Sequence, residues 1–153
     1  MLATLAPSET VNAVDVGCGS GILAIAMAKL WRRPAIGGDN DAEAITVARE
    51  NAELNGVADL CRFFVSAGLE ADELQAPAPY DLVVANILAG PLVELSQSFA
   101  ASVRPGGRVL LSGLLVEQAA QVLSAYGQHG FIFERRVDLE TGGAWWRTLV
   151  LRR

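Results

Sequence analysis

The stretch Asp15-Val16-Gly17-Cys18-Gly19-Ser20-Gly21 joins a short β-rich run, residues 13–17, to the apolar stretch Ile22–Trp31, which predicts a helix buried on most sides. Three glycines at alternate positions let the backbone turn sharply and approach a ligand closely. The predicted helix would present free N–H groups and the positive end of its dipole to that ligand. Glycine-rich turns between strand and helix also occur for packing alone, but this is the place where α/β sheets bind their ligands.

The rest of the chain continues this alternation of short apolar strands and helices. Further strands are predicted at Ala35–Asp39 and at residues 61–66, 81–85, 108–112, 131–138 and 148–152, further helices at residues 40–55, 91–103 and 116–128, and a loop at residues 71–79. Helical connections between apolar strands indicate a mostly parallel sheet with helices on both faces. We therefore predict a doubly wound α/β fold of seven strands, the last of them antiparallel. Residues 1–153 contain no repeat and no composition break, so we expect one domain.

Composition narrows the classes of protein to which the chain can belong. Its 153 residues are 52% hydrophobic and 19% charged, which is typical of a compact folded domain. A net charge of −5 disfavours nucleic acid as a partner, because a duplex-binding module carries a basic face. No apolar run approaches the roughly 20 residues of a membrane helix. Two cysteines and one histidine predict neither a disulfide framework nor a metal site. We expect a cytoplasmic monomer without a membrane partner.

The glycine loop differs from the dinucleotide-binding fingerprint, G-x-G-x-x-G. Its third glycine, Gly21, comes one residue early, and Asp15 stands two residues before the first glycine. A carboxylate beside the loop would repel a diphosphate, whereas it would suit a ligand that carries an ammonium group. The pattern therefore favours a nucleoside bearing an amino acid over NAD, and an NAD-dependent oxidoreductase is disfavoured.

A second acid, Asp39, ends the next predicted strand, 18 residues beyond Gly21. An acid at this place can accept hydrogen bonds from both hydroxyls of a ribose. The alternative is that Asp39 and Asp41 cap the following helix, where Asn40 and Glu43 have the spacing of a capping box. We assign the ribose to Asp39 and mainly capping to Asp41.

These features resemble the class I S-adenosylmethionine-dependent methyltransferases, which have a Rossmann-like sheet. Residues 16–26, followed by Asn86-Ile87-Leu88-Ala89 and a tryptophan near the last strand (Trp145 or Trp146), are similar to the ribosomal protein L11 methyltransferase family. The resemblance implies S-adenosylmethionine as the cofactor and Asn86 as the catalytic residue. The implied cofactor-binding residues are Asp15, Gly17, Cys18, Gly19, Gly21, Asp39, Asn40, Ala67 and Asn86.

The chemistry of methyl transfer explains why an asparagine suits this place. The displacement needs a neutral amine whose lone pair points at the methyl group, so catalysis is largely a matter of positioning. The side-chain carbonyl of Asn86 and the backbone carbonyl of Ile87 could hold the amine's N–H groups, although asparagine also occurs after strands as a turn residue.

The residues after Asn86 indicate the class of acceptor. Related enzymes that methylate base amines have an aromatic residue after strand four, where it stacks on the base, and Asn86-Ile87-Leu88-Ala89 has none. We therefore expect a protein amine, on a lysine or an α-amine, with ribosomal protein L11 as the substrate. Two alternatives stay open: a small-molecule methyltransferase of the same fold, and a cofactor-binding module without activity.

The chain departs from the family pattern in two places. Family members carry a substrate-recruiting domain and a further motif before the first strand, where this chain has only residues 1–11. We therefore expect that domain to be absent, and the chain to bind the cofactor but methylate poorly. Many relatives also have an acid after strand three that holds the adenine, where this chain has Ser66-Ala67-Gly68. Backbone atoms are expected to replace it.

Overall fold

A computed structural model describes Leu2 and residues 12–153 of the chain. The expectation of a single domain over residues 1–153 stays a prediction, and residues 1 and 3–11 lie outside the described residues. The strands are β1 (Ala13–Val16), β2 (Ala35–Asp39), β3 (Cys61–Val65), β4 (Tyr80–Asn86), β5 (Val103–Leu115), β6 (Ile132–Thr141) and β7 (Ala144–Arg152). The helices are α1 (Ile22–Trp31), α2 (Ala42–Leu54), α3 (Asp72–Gln75), α4 (Ala89–Glu94), α5 (Ser96–Ser102) and α6 (Ala119–Gln128).

In the described residues the strands form one sheet in the order β3-β2-β1-β4-β5-β7-β6. Strands β1 to β5 pair in parallel, and β7 runs antiparallel to both of its neighbours, β5 and β6. The chain moves outward from β1 to β3 and then crosses back to β4 on the other side of β1. This reversal creates a switch point at the carboxyl ends of β1 and β4, where sheets of this kind bind ligands. The prediction of a Rossmann-like, mostly parallel sheet with an antiparallel last strand is confirmed.

Apolar layers cover both faces of the sheet, which explains why its strands read as continuous apolar runs. In β4, Leu82 and Val84 pack with α1 and α2, whereas Val83 and Ala85 pack with α4, α5 and α6. Successive side chains of a strand point to opposite faces, so each layer takes every second residue. The sheet is thereby held rigidly between two cores, and its strand ends are fixed in position.

Several element boundaries differ from the prediction for local reasons. Helix α2 begins after Asp41, whose Oδ1 accepts a hydrogen bond of 2.8 Å from the backbone N–H of Glu43, so Asp41 and not Asn40 is the N-cap. The predicted loop at residues 71–79 contains α3, whose first turn is acidic and so complements the helix dipole. Capping by Asp41 itself is as predicted.

The third predicted helix, residues 91–103, is divided in two, and the strand after it is longer than predicted. Helices α4 and α5 meet at Leu95, where the Ser96 hydroxyl donates a hydrogen bond of 2.7 Å to the carbonyl of Val93. Strand β5 extends in both directions beyond residues 108–112 because it pairs with β4 along one edge and with β7 along the other. Within the described part of the chain, no helix is long and apolar enough to cross a membrane.

Candidate functional site

A cavity of about 590 Å³ opens at the switch point of the sheet. Its volume is in the range of pockets that enclose small organic ligands. We call it the first cavity, and the ends of four parallel strands and helix α4 form its walls. The residues that line it are Val16, Gly17, Asp39, Asn40, Ser66, Ala67, Gly68, Glu70, Ile87, Leu88, Pro91, Glu94 and Leu95.

The glycine loop lies at the edge of this cavity, and its backbone requires glycine. Gly17, Gly19 and Gly21 have φ angles of 69°, 51° and 79°, in the left-handed region that L side chains rarely adopt. The N–H groups of Gly17 and Cys18 donate hydrogen bonds of 2.8 and 3.0 Å to the carbonyl of Gly38, which ties the loop to β2. A Cβ at Gly17 would collide with the side chain of Ile87. The loop therefore packs directly against the end of β4.

Asp39 connects the glycine loop to the start of α2. Its Oδ2 accepts a hydrogen bond of 2.8 Å from the N–H of Gly19, and its Oδ1 accepts one of 3.0 Å from the N–H of Asp41. The side chain is half-buried and lines the first cavity. A carboxylate offers about four lone-pair positions, so two remain for a ligand. Asp39 therefore helps to order the start of α2, and its two remaining lone pairs could accept hydrogen bonds from a ribose.

Asp15 lies beneath the loop and is buried, with 1% of its surface exposed. Its Oδ2 accepts a hydrogen bond of 3.0 Å from the N–H of Ala24 in α1, whereas its Oδ1 has no hydrogen-bond partner among the described residues. Burial is the main cause that raises the pKa of this carboxyl to about 7; the Ala24 bond opposes the rise and the charge of Asp39 adds to it. A buried carboxylate oxygen without a donor is costly, and a cationic ligand group nearby would reduce that cost.

Cys18 is a packing residue of the loop. Its side chain is buried in the layer between the sheet and helices α1 and α2, and a Cβ at Gly37 would lie 3.1 Å from the Cβ of Cys18. Burial, assisted by the charges of Asp15 and Asp39, raises the pKa of the thiol to about 12. A protonated thiol is a poor nucleophile, which agrees with a packing role. The prediction that Cys18 contacts the cofactor stays a prediction.

A second cavity, of about 400 Å³, lies on the α1 side of the sheet. Asn86, the last residue of β4, lines it, and its side chain is exposed. Asn86 pairs with Ser112 of β5, and the Ser112 and Thr148 hydroxyls are hydrogen-bonded at 3.0 Å. The walls of this second cavity are Leu2, Leu23, Leu30, Asn86, Leu110, Ser112 and Thr148. It thus combines a row of three polar side chains with four leucines.

The structure distributes the predicted site residues over three places. Those that line the first cavity are Gly17, Asp39, Asn40 and Ala67; Asn86 lines the second; and Asp15, Cys18, Gly19 and Gly21 form the loop without lining either. Because Ile87 lines the first cavity, the Asn86–Ile87 segment separates the two. Within the described residues no group of three or more His, Cys, Asp or Glu is placed to hold a metal ion.

Several wall residues were not predicted from the sequence. Glu94 and Leu95 share a wall with Pro91 because residues three and four apart lie on one helix face, a spacing that could have been used once α4 was placed. Ser112 and Thr148 are 36 residues apart, and their pairing depends on the register of β5 with β7. No local signal reveals that pairing.

Ser66 takes part in the local fold of the loop after β3. Its hydroxyl accepts a hydrogen bond of 3.1 Å from the N–H of Ala71 and donates one of 3.1 Å to the carbonyl of Gly68. Two exposed glutamates also line the first cavity: Glu70, in the loop before α3, and Glu94, at the end of α4. The prediction that backbone atoms hold an adenine here stays a prediction.

Comparisons with known proteins agree with this architecture. The family model described as ribosomal protein L11 methyltransferase matches residues 2–153. The ribosomal protein L11 methyltransferase of Chromohalobacter salexigens is 47% identical over 132 residues, which is 86% of this chain and 42% of that protein. The chain spans about half the length, or less, of the curated relatives it matches.

Solved structures show the same fold. The ribosomal protein L11 methylase of Lactobacillus delbrueckii subsp. bulgaricus is 31% identical, with a TM-score of 0.82 over 99% of this chain and 77% of that chain. An RNA methyltransferase of Salinibacter ruber, solved in complex with S-adenosyl-L-homocysteine, is 26% identical, with a TM-score of 0.72 over 97% of this chain and 86% of that chain. With a family model matching all but the first residue, the chain belongs to the ribosomal protein L11 methyltransferase family.

Proposed function

We propose that this chain is the cofactor-binding and methyl-transferring part of an S-adenosylmethionine-dependent N-methyltransferase that acts on amines of ribosomal protein L11. The observation that carries the proposal is the place of Asn86–Ile87, between a cavity of nucleoside size and a second cavity lined by polar and apolar groups. The names of the curated relatives of this chain give ribosomal protein L11 as their substrate. A cytoplasmic, monomeric protein is part of the same proposal.

The residues around the first cavity fit S-adenosylmethionine chemically. Its ribose offers two hydroxyl donors to the free lone pairs of Asp39. Asp15 lines neither cavity, and its carboxylate favours the amino-acid ammonium through its charge, from beneath the loop. Ile87, Leu88 and Leu95 provide apolar wall against which an adenine can pack. Asn40 and Ala67 border the same space, and the two aspartates complement a cationic ligand.

When bound, S-adenosylmethionine supplies a methyl group already activated by the positive sulfonium. The protein then has to deliver a neutral amine in the correct direction, which is a task of positioning. The Oδ1 of Asn86 and the backbone carbonyl oxygen of Ile87 accept the N–H hydrogens of the amine, so that its lone pair is directed away from them. The leucines of the second cavity provide apolar surface beside the amine, which disfavours its protonated form.

The site favours a protein amine over a nucleobase for two reasons. The segment after Asn86 has aliphatic Ile87 and Leu88 in place of an aromatic residue that could stack on an extruded base. The net charge of −5 opposes association with a polyanion. A small-molecule acceptor and a cofactor-binding module without activity are the alternatives, and both predict no labelling of L11.

Two measurements test the proposal. Calorimetry should show binding of S-adenosylhomocysteine and none of NAD, and binding of NAD alone would overturn the cofactor assignment. Purified L11 at near-saturating concentration, incubated with the chain and S-adenosylmethionine labelled in the methyl group, should acquire label on amines. Cofactor binding with labelling of free metabolites only would favour the small-molecule alternative, and binding with no transfer to any acceptor would favour the module.

A further inference from the structure

Strand β5 contains an irregularity opposite the end of β4. Asn86 and Ser112 form the last pair between these strands, and the next residue, Gly113, has a φ of +80°. The pairing of β5 with β7 shifts between Leu111 and Leu114. Strand β5 thus has one residue more than β7 in this interval, which is a β-bulge. Bulges redirect the backbone and are over-represented next to active sites. Here it brings the backbone of Gly113 against Asn86–Ile87.

The contact is too close for any side chain at Gly113. A Cβ there would lie 2.8 Å from the carbonyl oxygen of Ile87, 3.0 Å from Oδ1 of Asn86 and 3.1 Å from the N atom of Ile87. Two of these atoms are the oxygens proposed to hold the amine. Two of these three atoms, including the nearest, belong to the backbone of Ile87, so they cannot turn away as a flexible side chain would.

We propose that Gly113 is a positioning residue of the amine site: by lacking a side chain, it lets Asn86 Oδ1 and the Ile87 carbonyl occupy the places from which they hold the acceptor. This inference rests on the proposed function for its catalytic meaning, whereas the contact itself does not depend on it. The competing explanation is that glycine is needed only for the positive φ.

Gly130 separates these two explanations. Its φ of +84° nearly equals that of Gly113, but a Cβ at Gly130 would meet nothing within 4 Å. Gly130→Ala therefore introduces the same backbone strain without the collision, and it serves as the matched control for Gly113→Ala.

The first readout is the side-chain amide of Asn86 in ¹H–¹⁵N spectra, assigned by its loss in Asn86→Ala. Gly113→Ala should shift this signal, and Gly130→Ala should leave it in place. An unmoved signal in a folded Gly113→Ala variant would overturn the proposal. This test needs neither cofactor nor acceptor, so it remains valid if the proposed function fails.

The second readout separates positioning from a general structural role. Gly113→Ala should lower kcat for L11 by about 10- to 100-fold, as a small displacement of a reacting group does, with S-adenosylhomocysteine affinity and the KM for L11 changed only a few-fold. Gly130→Ala should leave kcat near that of the parent. Equal rates in the two variants would overturn the proposal, whereas a parent chain that neither binds nor transfers would refute the proposed function instead.

If Gly113→Ala does not fold while Gly130→Ala does, the double variant Asn86→Gly/Gly113→Ala replaces it. Removing the Asn86 side chain relieves one of the close contacts, so the double variant should recover folding at least in part. A double variant that is as unstable as Gly113→Ala would show that the Ile87 backbone alone excludes a side chain at Gly113, and the part of the proposal that concerns Asn86 would be wrong.

Discussion

Asp15 and Asp39, the two acids of the glycine loop, differ in burial and therefore in what they can contribute. Asp39 is half-buried and satisfied by two backbone N–H groups, so it is a preformed acceptor that needs no rearrangement to bind a ligand. Asp15 is buried with one oxygen unpartnered, and its raised pKa shows how unfavourable its ionised form is in the free protein. A cationic ligand would therefore reduce the free-energy cost of ionising Asp15, whereas Asp39 would bind it without changing its own hydrogen bonds.

Replacing Asp39 by alanine should weaken the binding of S-adenosylhomocysteine. Loss of hydrogen bonds to a charged acceptor costs roughly 1.5–3 kcal/mol, which corresponds to about 10- to 150-fold in affinity. Calorimetry on Asp39→Ala measures this, with Asp41→Ala as the matched control because it removes a neighbouring acid that does not line the cavity. An unchanged affinity in Asp39→Ala would remove this residue from the site.

Replacing Asn86 by alanine should affect the transition state more than the cofactor. We expect kcat for L11 to fall while S-adenosylhomocysteine affinity stays within a few-fold, because the interaction is made with the acceptor amine. Asn86→Asp keeps an acceptor oxygen and should lose less activity than Asn86→Ala. The assigned role would be wrong if cofactor binding collapsed while the rate at saturating cofactor was maintained.

The raised pKa of Asp15 makes stability depend on pH. The ordinary pKa is 3.8 and the folded one is about 7, so between these values the folded chain holds a proton that the unfolded chain has lost. This group therefore destabilises the fold as pH rises through that window, by up to about 1.4 kcal/mol per pH unit. Asp15→Asn cannot ionise, so its free energy of unfolding relative to the parent should increase from pH 4 to pH 7 and then level off. A difference that stays constant in urea denaturation across this range would contradict it.

At the scale of elements, the loop, α2 and β2 form one hydrogen-bonded unit. Asp39 joins the loop to the residue that caps α2, and that residue, Asp41, holds the N–H of Glu43. A change at the helix start should therefore lower stability without altering the cavity wall. The structure therefore distinguishes Asp39, which lines the cavity, from Asp41, which caps the helix, whereas the sequence could assign these roles only from their positions in the chain.

Asp41→Ala should lower the free energy of unfolding by about 1 kcal/mol, the usual cost of losing an N-cap side chain. Asp41→Asn keeps an oxygen that can accept from Glu43 and should stay close to the parent. Urea denaturation of the three proteins measures the effect. If Asp41→Asn proved as destabilised as Asp41→Ala, lost charge at the helix start, and not the capping bond, would be the cause.

At the scale of the whole molecule, the fold could be predicted and the second cavity could not. Strands such as Ala35–Asp39 are short, apolar and separated by helices, so local pattern and connection length determine a parallel sheet. The row Asn86, Ser112 and Thr148 depends on which residues of three distant strands face each other. The approach of Gly113 to Ile87 depends in addition on a bulge. Such register is a tertiary property that no single segment encodes.

The last prediction concerns recruitment of the acceptor. The curated relatives are about twice as long as this chain. If their additional residues bind the acceptor, they raise its effective concentration at the site. We expect this chain to bind S-adenosylhomocysteine about as tightly as the full-length relative of Chromohalobacter salexigens, because the loop and first cavity lie within residues 12–153.

Methyl transfer at low L11 concentration should then be slower for this chain, by about 10²- to 10⁴-fold. The two rates should converge as L11 approaches saturation, since tethering raises local concentration and leaves the chemical step unchanged. Initial rates over a series of L11 concentrations distinguish this from a defective site, which would stay slow at every concentration. Equal rates at low L11 would show that these residues recruit the acceptor themselves.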